Sequence, residues 1–383
     1  MDFSLAEASL IALRGRATSI SFLGTVLGLL LANAARTVYT QNNALAQETL
    51  KYFYFRMTLL PSQAKGSFSI LHSVFFLLAA AIYGKMASIF CLSPKLGMTR
   101  VWIPTINDGP DDFATLFTLY RENCGSRLRL VLDFSNCRFL RQNAVAFLGG
   151  LVRLVTSQYG TVELALDTLN SDVRRNLSRS GFLEALGYNE RDWSGNTIPY
   201  REDWCQTRDS ETKIVEYLKT LWLGRGWLQI SDELCNGVVS QVWEIYANAF
   251  EHAQSEIGVF TCGQYYPKMN LLKLTVVDFG LGIPARVRLC LKHTTLPASE
   301  ALKWAMTRGN TTATYAGYPR GVGLDLLKVL VQANQGTLEF FSDRGVSTVT
   351  MNEETHHDWG YFFGGTLVNI TLNCNEHYYE RAA

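Results

Sequence analysis

Val238-Val239-Ser240-Gln241-Val242-Trp243-Glu244-Ile245-Tyr246-Ala247-Asn248-Ala249-Phe250-Glu251-His252 reads as one amphipathic helix. Val238, Val242, Ile245 and Ala249 recur at helical spacing and form its expected buried stripe. Glu244, Asn248 and His252 lie four residues apart, which stacks three polar side chains on one face. Such a face is most often simply solvated. Three stretches downstream give it another meaning. Leu274-Thr275-Val276-Val277-Asp278-Phe279-Gly280-Leu281-Gly282-Ile283-Pro284 is an apolar strand running into Asp-x-Gly-x-Gly. Arg320-Gly321-Val322-Gly323-Leu324 opens a helix that continues to Ala333, and Gly365-Thr366 starts a late strand, Leu367 to Leu372.

Taken in order, Glu244-x-x-x-Asn248-Ala249-x-x-His252, Asp278-x-Gly280-x-Gly282, Gly321-x-Gly323-Leu324 and Gly365-Thr366 resemble the motif set of the GHKL ATPases. That superfamily includes gyrase, MutL-type repair proteins, histidine kinases and the anti-sigma serine kinases. Each motif alone is weak, but four in sequence on matching elements within about one domain length form a specific signal. The resemblance runs from Leu228 to Cys374 and implies a Bergerat-type α/β sandwich over residues 228–376. It is closest to the anti-sigma serine kinases. A His-bearing helix pair ahead of the segment, as in a histidine kinase, and a transducer domain after it, as in gyrase or MutL, are not expected.

The resemblance assigns roles residue by residue. Asp278, buried at the end of an apolar strand, would accept from the adenine amine of ATP. Gly280 and Gly282 would let the backbone approach the ring and turn. Thr366 would support the same polar contact from the neighbouring strand. Asn248 would give Mg²⁺ its one protein ligand, an amide oxygen, the metal keeping most of its waters. Gly321 and Gly323 would present backbone N–H groups to the phosphates at a helix start, with Arg320 and Lys328 adding positive charge. Glu244 would orient or deprotonate the nucleophile that attacks the γ-phosphate, and His252 would be structural, with a catalytic role as the alternative. Residues 286–319, with a helix at 299–306 and a soft run at 308–314, would be a lid that orders over nucleotide.

Upstream, residues 98–190 read as a small α/β domain. Strands are expected at 101–104, 129–134 and 161–166. They alternate with helices at 111–122 and 143–158, and two short helical turns follow over 171–186. That alternation implies a mostly parallel sheet covered by helices. The order, and above all Val131-Leu132-Asp133-Phe134-Ser135-Asn136-Cys137-Arg138-Phe139-Leu140 before a helix, resembles the STAS domain of anti-sigma-factor antagonists. The family's phosphorylatable Asp-Ser-Ser-Gly turn falls here on Arg141-Gln142-Asn143-Ala144, which carries no hydroxyl. Asp133 and Ser135 read as turn and helix-start residues. Residues 191–227 are expected to link the two domains, with loop over 188–209 and a helix over 212–222. Trp193, Trp204, Trp222 and Trp227 are expected to pack at the domain interface.

Residues 1–97 differ from the rest. Residues 17–35 form an uncharged run of 19, and 66–84 form another broken only by His72. Both are near the minimum length for crossing a bilayer. Three readings stand: a two-helix membrane hairpin, a pair of buried helices, or a true start at Met98. Basic residues flank both sides and set no orientation, and no cleavage site marks a signal peptide.

At 383 residues and net charge +1, the chain has room for two or three domains and no whole-chain case for nucleic acid. Cys91, Cys124, Cys137, Cys205, Cys235, Cys262, Cys290 and Cys374 form no CxxC pair and read as free thiols in a reducing, cytoplasmic compartment. His356-His357-Asp358 reads as a polar loop rather than a metal site, because adjacent side chains in extended chain point apart. The leading expectation is an ATP-binding regulatory protein of partner-switch type, whose nucleotide state controls its hold on a protein partner. The alternative is an enzyme with real turnover, a serine/threonine kinase or ATPase. A third reading, an interaction protein with a dead pocket, sits poorly with a complete motif set.

Overall fold

Within the computed structural model, residues 98–125, 128–192, 195–204, 207–252, 255–310 and 324–380 are described. Three parallel strands come first: β1 (Thr99–Trp102), β2 (Arg129–Asp133) and β3 (Thr161–Ala165), in spatial order β1-β2-β3. Their crossovers are the helices α1 (Pro110–Asn123) and α2 (Gln142–Ser157). α1 starts on a proline, with Asp111 and Asp112 in its first turn. A fixed φ suits the first helical position, and acidic groups suit the positive end of the helix. α3 (Ser171–Arg179) is capped by Asn170, whose side chain accepts from the Asp172 and Val173 amides. The one-turn α4 (Phe182–Ala185) follows. These elements fall close to the bounds expected from the sequence.

A five-stranded antiparallel sheet makes up the rest. It contains β4 (Thr197–Asp203), β5 (Val259–Tyr266), β6 (Leu271–Asp278), β7 (Thr337–Val349) and β8 (Glu354–Asn373), in order β4-β5-β6-β8-β7. Its helices are α5 (Arg208–Tyr217), α6 (Asp232–His252), α7 (Gly282–Leu291), α8 (Ala298–Met306) and α9 (Asp325–Ala333). The expected buried stripe of α6 is present: Val238, Val242, Ile245 and Ala249 are all buried.

Side chains alternate along each strand, so the sheet has two apolar faces. Leu272, Leu274 and Val276 of β6 join a core with α5, α6 and α9. Val277 and Phe279 join the other core, with α1, α2 and the three-stranded sheet. α1 and α2 therefore lie between the two sheets, and the layers run sheet, helices, sheet, helices. Aromatic rings fill the middle seam. Phe113 stacks on Phe341 at 4.3 Å, and Phe117 stacks on Phe363 at 5.0 Å. The described residues belong to one compact unit, Lys95–Ala383.

Several expectations are corrected. Within 188–209, expected as loop, Thr197–Asp203 is an edge strand on β5. Ile198 and Tyr200 turn inward, and an edge tolerates the missing amide of Pro199. The segment 191–227 thus contributes to the five-stranded sheet. His356 and His357 lie in β8, paired with Ser347 and Val346 of β7, because the hairpin runs on past the rest of the sheet. The helix expected inside a lid is packed structure. Ala298, Ala301, Leu302 and Met306 of α8 recur at helical spacing and are buried, and the Ser299 amide donates to Asp358 of β8 at 2.8 Å. Of the four tryptophans, Trp222 is fully buried, but Trp204 is 54% exposed and Trp227 stacks on Tyr265. Trp193 lies outside the described residues, as do the hydrophobic runs 17–35 and 66–84 and residues 311–319 of the expected lid. Among the described residues no helix is long and apolar enough to cross a membrane.

Candidate functional site

β6 ends on Asp278, whose register partner across the adjacent strand is Thr366 of β8. Asp278 shares its parity with Leu274 and Val276, so it faces the α6 side of the sheet. Both partners are buried, Asp278 at 5% and Thr366 at 8% exposure. One carboxyl oxygen of Asp278 accepts the Gly280 amide at 2.9 Å. Burial pushes the Asp278 carboxyl up to about 7, against the hydrogen bonds from Gly280 and Thr366 that lower it. An acid in that state changes charge near neutral pH.

The chain then turns tightly. Gly282 takes φ 71, and a Cβ there would meet the Ser342 hydroxyl at 2.5 Å and the Gly364 carbonyl at 2.9 Å. Gly365 is equally confined, because a Cβ would lie 1.9 Å from the Asp278 carbonyl oxygen. Of Gly280 and Gly282, it is Gly282 that takes the left-handed conformation. Sequence reasoning missed Ser342. Its buried hydroxyl donates to the Gly365 carbonyl at 2.7 Å, receives the Ile283 amide at 3.0 Å and lies 3.2 Å from the Thr366 hydroxyl. It ties the turn to the strand, and nothing in the pattern of β7 marks it.

Glu244 and Asn248 lie on α6, which packs on β5 and β6. Glu244 is half-buried and Asn248 exposed. Gly237 and Gln241 share their helical face by spacing. The Gln241 side chain accepts the Leu327 amide in the first turn of α9, and a Cβ at Gly237 would lie 2.5 Å from Leu326. The face that carries Glu244 and Asn248 is therefore the face that meets the N-terminal turn of α9. Arg320, Gly321 and Gly323, which precede that turn, lie outside the described residues. Lys328 is committed elsewhere: its ammonium donates to Glu354 at 2.8 Å and to the Met306 carbonyl at 3.0 Å. It ties α9 to α8 and the hairpin instead of reaching forward as the expected phosphate contact. Among the described residues no cluster of three or more His, Cys, Asp or Glu could hold a metal. A cation here would depend on oxygens brought by a ligand plus the Asn248 amide.

The turn Arg141-Gln142-Asn143-Ala144 forms the start of α2 and is buried against the five-stranded sheet. The Gln142 amide donates to Thr275 at 3.3 Å and to Asn369 at 3.2 Å, and its oxygen receives the Tyr266 hydroxyl at 2.8 Å. The Arg141 guanidinium lies over the Tyr266 ring at 4.6 Å and pairs with Asp108, which also pairs with Lys273. Asp133 accepts the Ser135 amide at 2.8 Å, a turn contact as expected, but no helix starts at Ser135. Compared with protein families and with curated proteins, the chain matches none.

Proposed function

We propose that this chain is an ATP-binding regulatory protein. In this reading a GHKL-like nucleotide site occupies the α6 side of the five-stranded sheet, and a STAS-like module covers the other side. The observation that carries the reading is the register pair Asp278–Thr366. It is a buried acceptor and a buried hydroxyl on neighbouring strands, beside a turn that only glycine can make, facing the helix that bears Glu244 and Asn248. The Asp278 carboxylate accepts from the Gly280 amide and from Thr366, and with about four lone-pair sites it can take one further donor, such as the adenine amine. Mg²⁺ would enter with the phosphates, Asn248 giving one oxygen and water most of the rest. Arg320, Gly321 and Gly323 would hold the phosphates ahead of α9. The protein would act on the cytoplasmic side, with residues 17–35 and 66–84 as its only candidate membrane contact, and its output would be binding to a protein partner.

Calorimetry of the full-length protein with ATP or ADP and Mg²⁺ tests this directly. Binding that Asp278→Asn removes supports the site. No binding by the wild type refutes it. Steady phosphate release that depends on Glu244, or transfer to a protein hydroxyl, would favour the alternative of a kinase or ATPase with real turnover.

A further inference from the structure

Consecutive residues of an extended chain point to opposite faces. Asp278 faces the candidate nucleotide site, while Phe279 points the other way into the seam against α1 and α2. Its ring lies 5.2 Å from Phe147, 5.3 Å from Phe363, 5.9 Å from Tyr120 and 6.0 Å from Phe260. It rests on Gly150 of α2, where a Cβ would come within 2.0 Å of the ring. The partner strand is held in a similar way. Phe363 is fully buried in the same cluster, and Tyr120 of α1 presses on Gly364, where a Cβ would lie 2.7 Å from the Tyr120 hydroxyl. The Gly364 backbone hydrogen-bonds that oxygen. Gly364 is two residues from Thr366, and Phe279 is bonded to Asp278. Both polar groups of the site thus lie within two residues of a contact made by the three-stranded half of the protein.

We infer that Gly150 and Tyr120 are positioning residues: through Phe279 and Gly364 they set the geometry of the Asp278–Gly282 turn and of Thr366, so the three-stranded half regulates the affinity of the nucleotide site from behind. The inference rests on the reading of Asp278 as the adenine acceptor, but its mechanical part holds in the empty protein. Phe279 has no space to retreat, since four aromatic rings surround it. A methyl on Gly150 therefore moves the chain that carries Asp278. Alanine is the better helix former, so any loss comes from the contact and not from α2 itself. A hydrogen bond to a charged acceptor is worth roughly ten- to a hundredfold in affinity, and misaligning it forfeits part of that.

The test compares Gly150→Ala, Tyr120→Phe and the compensating pair Gly150→Ala/Phe279→Leu with Leu177→Ala. Leu177 is buried in α3, away from the site, and controls for general destabilisation. Hydrogen exchange on the full-length protein without ligand reads the Gly280 and Ile283 amides, which are bonded to Asp278 and Ser342. Calorimetry reads ADP affinity with Mg²⁺. We expect Gly150→Ala to speed exchange at those two amides and to weaken ADP roughly tenfold. The compensating pair should recover most of both, and Tyr120→Phe should give a smaller change of the same sign. Exchange and affinity in Gly150→Ala matching those in Leu177→Ala would overturn the inference. If the wild type binds no nucleotide, the functional reading fails, and the exchange comparison still decides whether the two halves are coupled.

Discussion

Replacing Asp278 by asparagine keeps the shape of the site and removes its charge. In the wild type the carboxyl is pushed up to about 7 by burial, so it is roughly half ionised at neutral pH. On the proposed reading, the carboxylate has acceptor sites for Gly280, Thr366 and the adenine amine together, and protonation takes one of them away. Affinity should then follow the ionised fraction, which falls from about nine-tenths at pH 8 to about one-tenth at pH 6. That is a loss of about tenfold, or ~1.4 kcal/mol, over two pH units. Asp278→Asn should bind at least about 2 kcal/mol more weakly at pH 8, because its free edge presents a donor to a donor, and should show no such slope. Calorimetry at pH 6, 7 and 8 in two buffers of different ionisation heat measures both affinity and proton release. The same charge has a consequence for stability. A folded value of about 7 lies above the unfolded ~3.9, so the contribution of this group is full below about pH 4 and is lost as pH rises through 7. At pH 8 Asp278→Asn should therefore gain up to roughly 4 kcal/mol over the wild type in thermal or urea unfolding without ligand. Affinity flat from pH 6 to 8, together with an asparagine variant no more stable at pH 8, would refute the reasoning about this acid.

Asn248→Ala should weaken nucleotide in Mg²⁺ about tenfold or more and leave it nearly unchanged in EDTA, while stability moves by less than about 0.5 kcal/mol because the residue is exposed. Equal effects in both buffers would remove Asn248 from the metal. Glu244→Ala should leave ATP binding close to wild type, and any hydrolysis should fall by roughly a hundredfold in a phosphate-release assay. Gln142→Leu should cost about 1–3 kcal/mol in urea unfolding, since Tyr266 and Asn369 lose a buried partner. Mass spectrometry after incubation with ATP should find no phosphate on residues 138–146, and stoichiometric phosphate on Ser135 would reverse that expectation.

Much of the architecture was legible where one residue pattern met one environment. α6 announced itself because its apolar stripe repeats every turn, and β2 because nearly every residue in it is buried. The Asp278–Thr366 pairing was suggested by the motifs, and the register bears out the adjacency. β4 was missed because Thr-Ile-Pro-Tyr-Arg-Glu-Asp alternates poorly and its partner lies some sixty residues away. The arm of the hairpin was missed because register shifts around Ser342, Asp343 and Gly345 break the two-residue period, with Asp343 itself at φ 57. The seat for Phe279 did leave a trace. Gly149-Gly150 inside a helix costs about 1 kcal/mol per glycine against alanine. That cost is explained by Tyr200 and Phe279, which come within 2.1 and 2.0 Å of where Cβ atoms would stand. Ser342 left none, because its importance comes from strands that meet only in three dimensions.

The strand order has a consequence for how the protein is made. β8 lies between β6 and β7, yet it is the last of the three to be synthesised. From the moment Asp278 leaves the ribosome until Asn373 follows, about 95 residues later, one edge of β6 has no partner. At about 5–20 residues per second that interval is roughly 5–20 s. An unpaired apolar edge is a template for other chains, so this is when the nascent protein is most exposed to aggregation. A chain halted before residue 354 would carry Asp278 without the strand that completes its surroundings, and the candidate site would be among the last parts of the molecule to form.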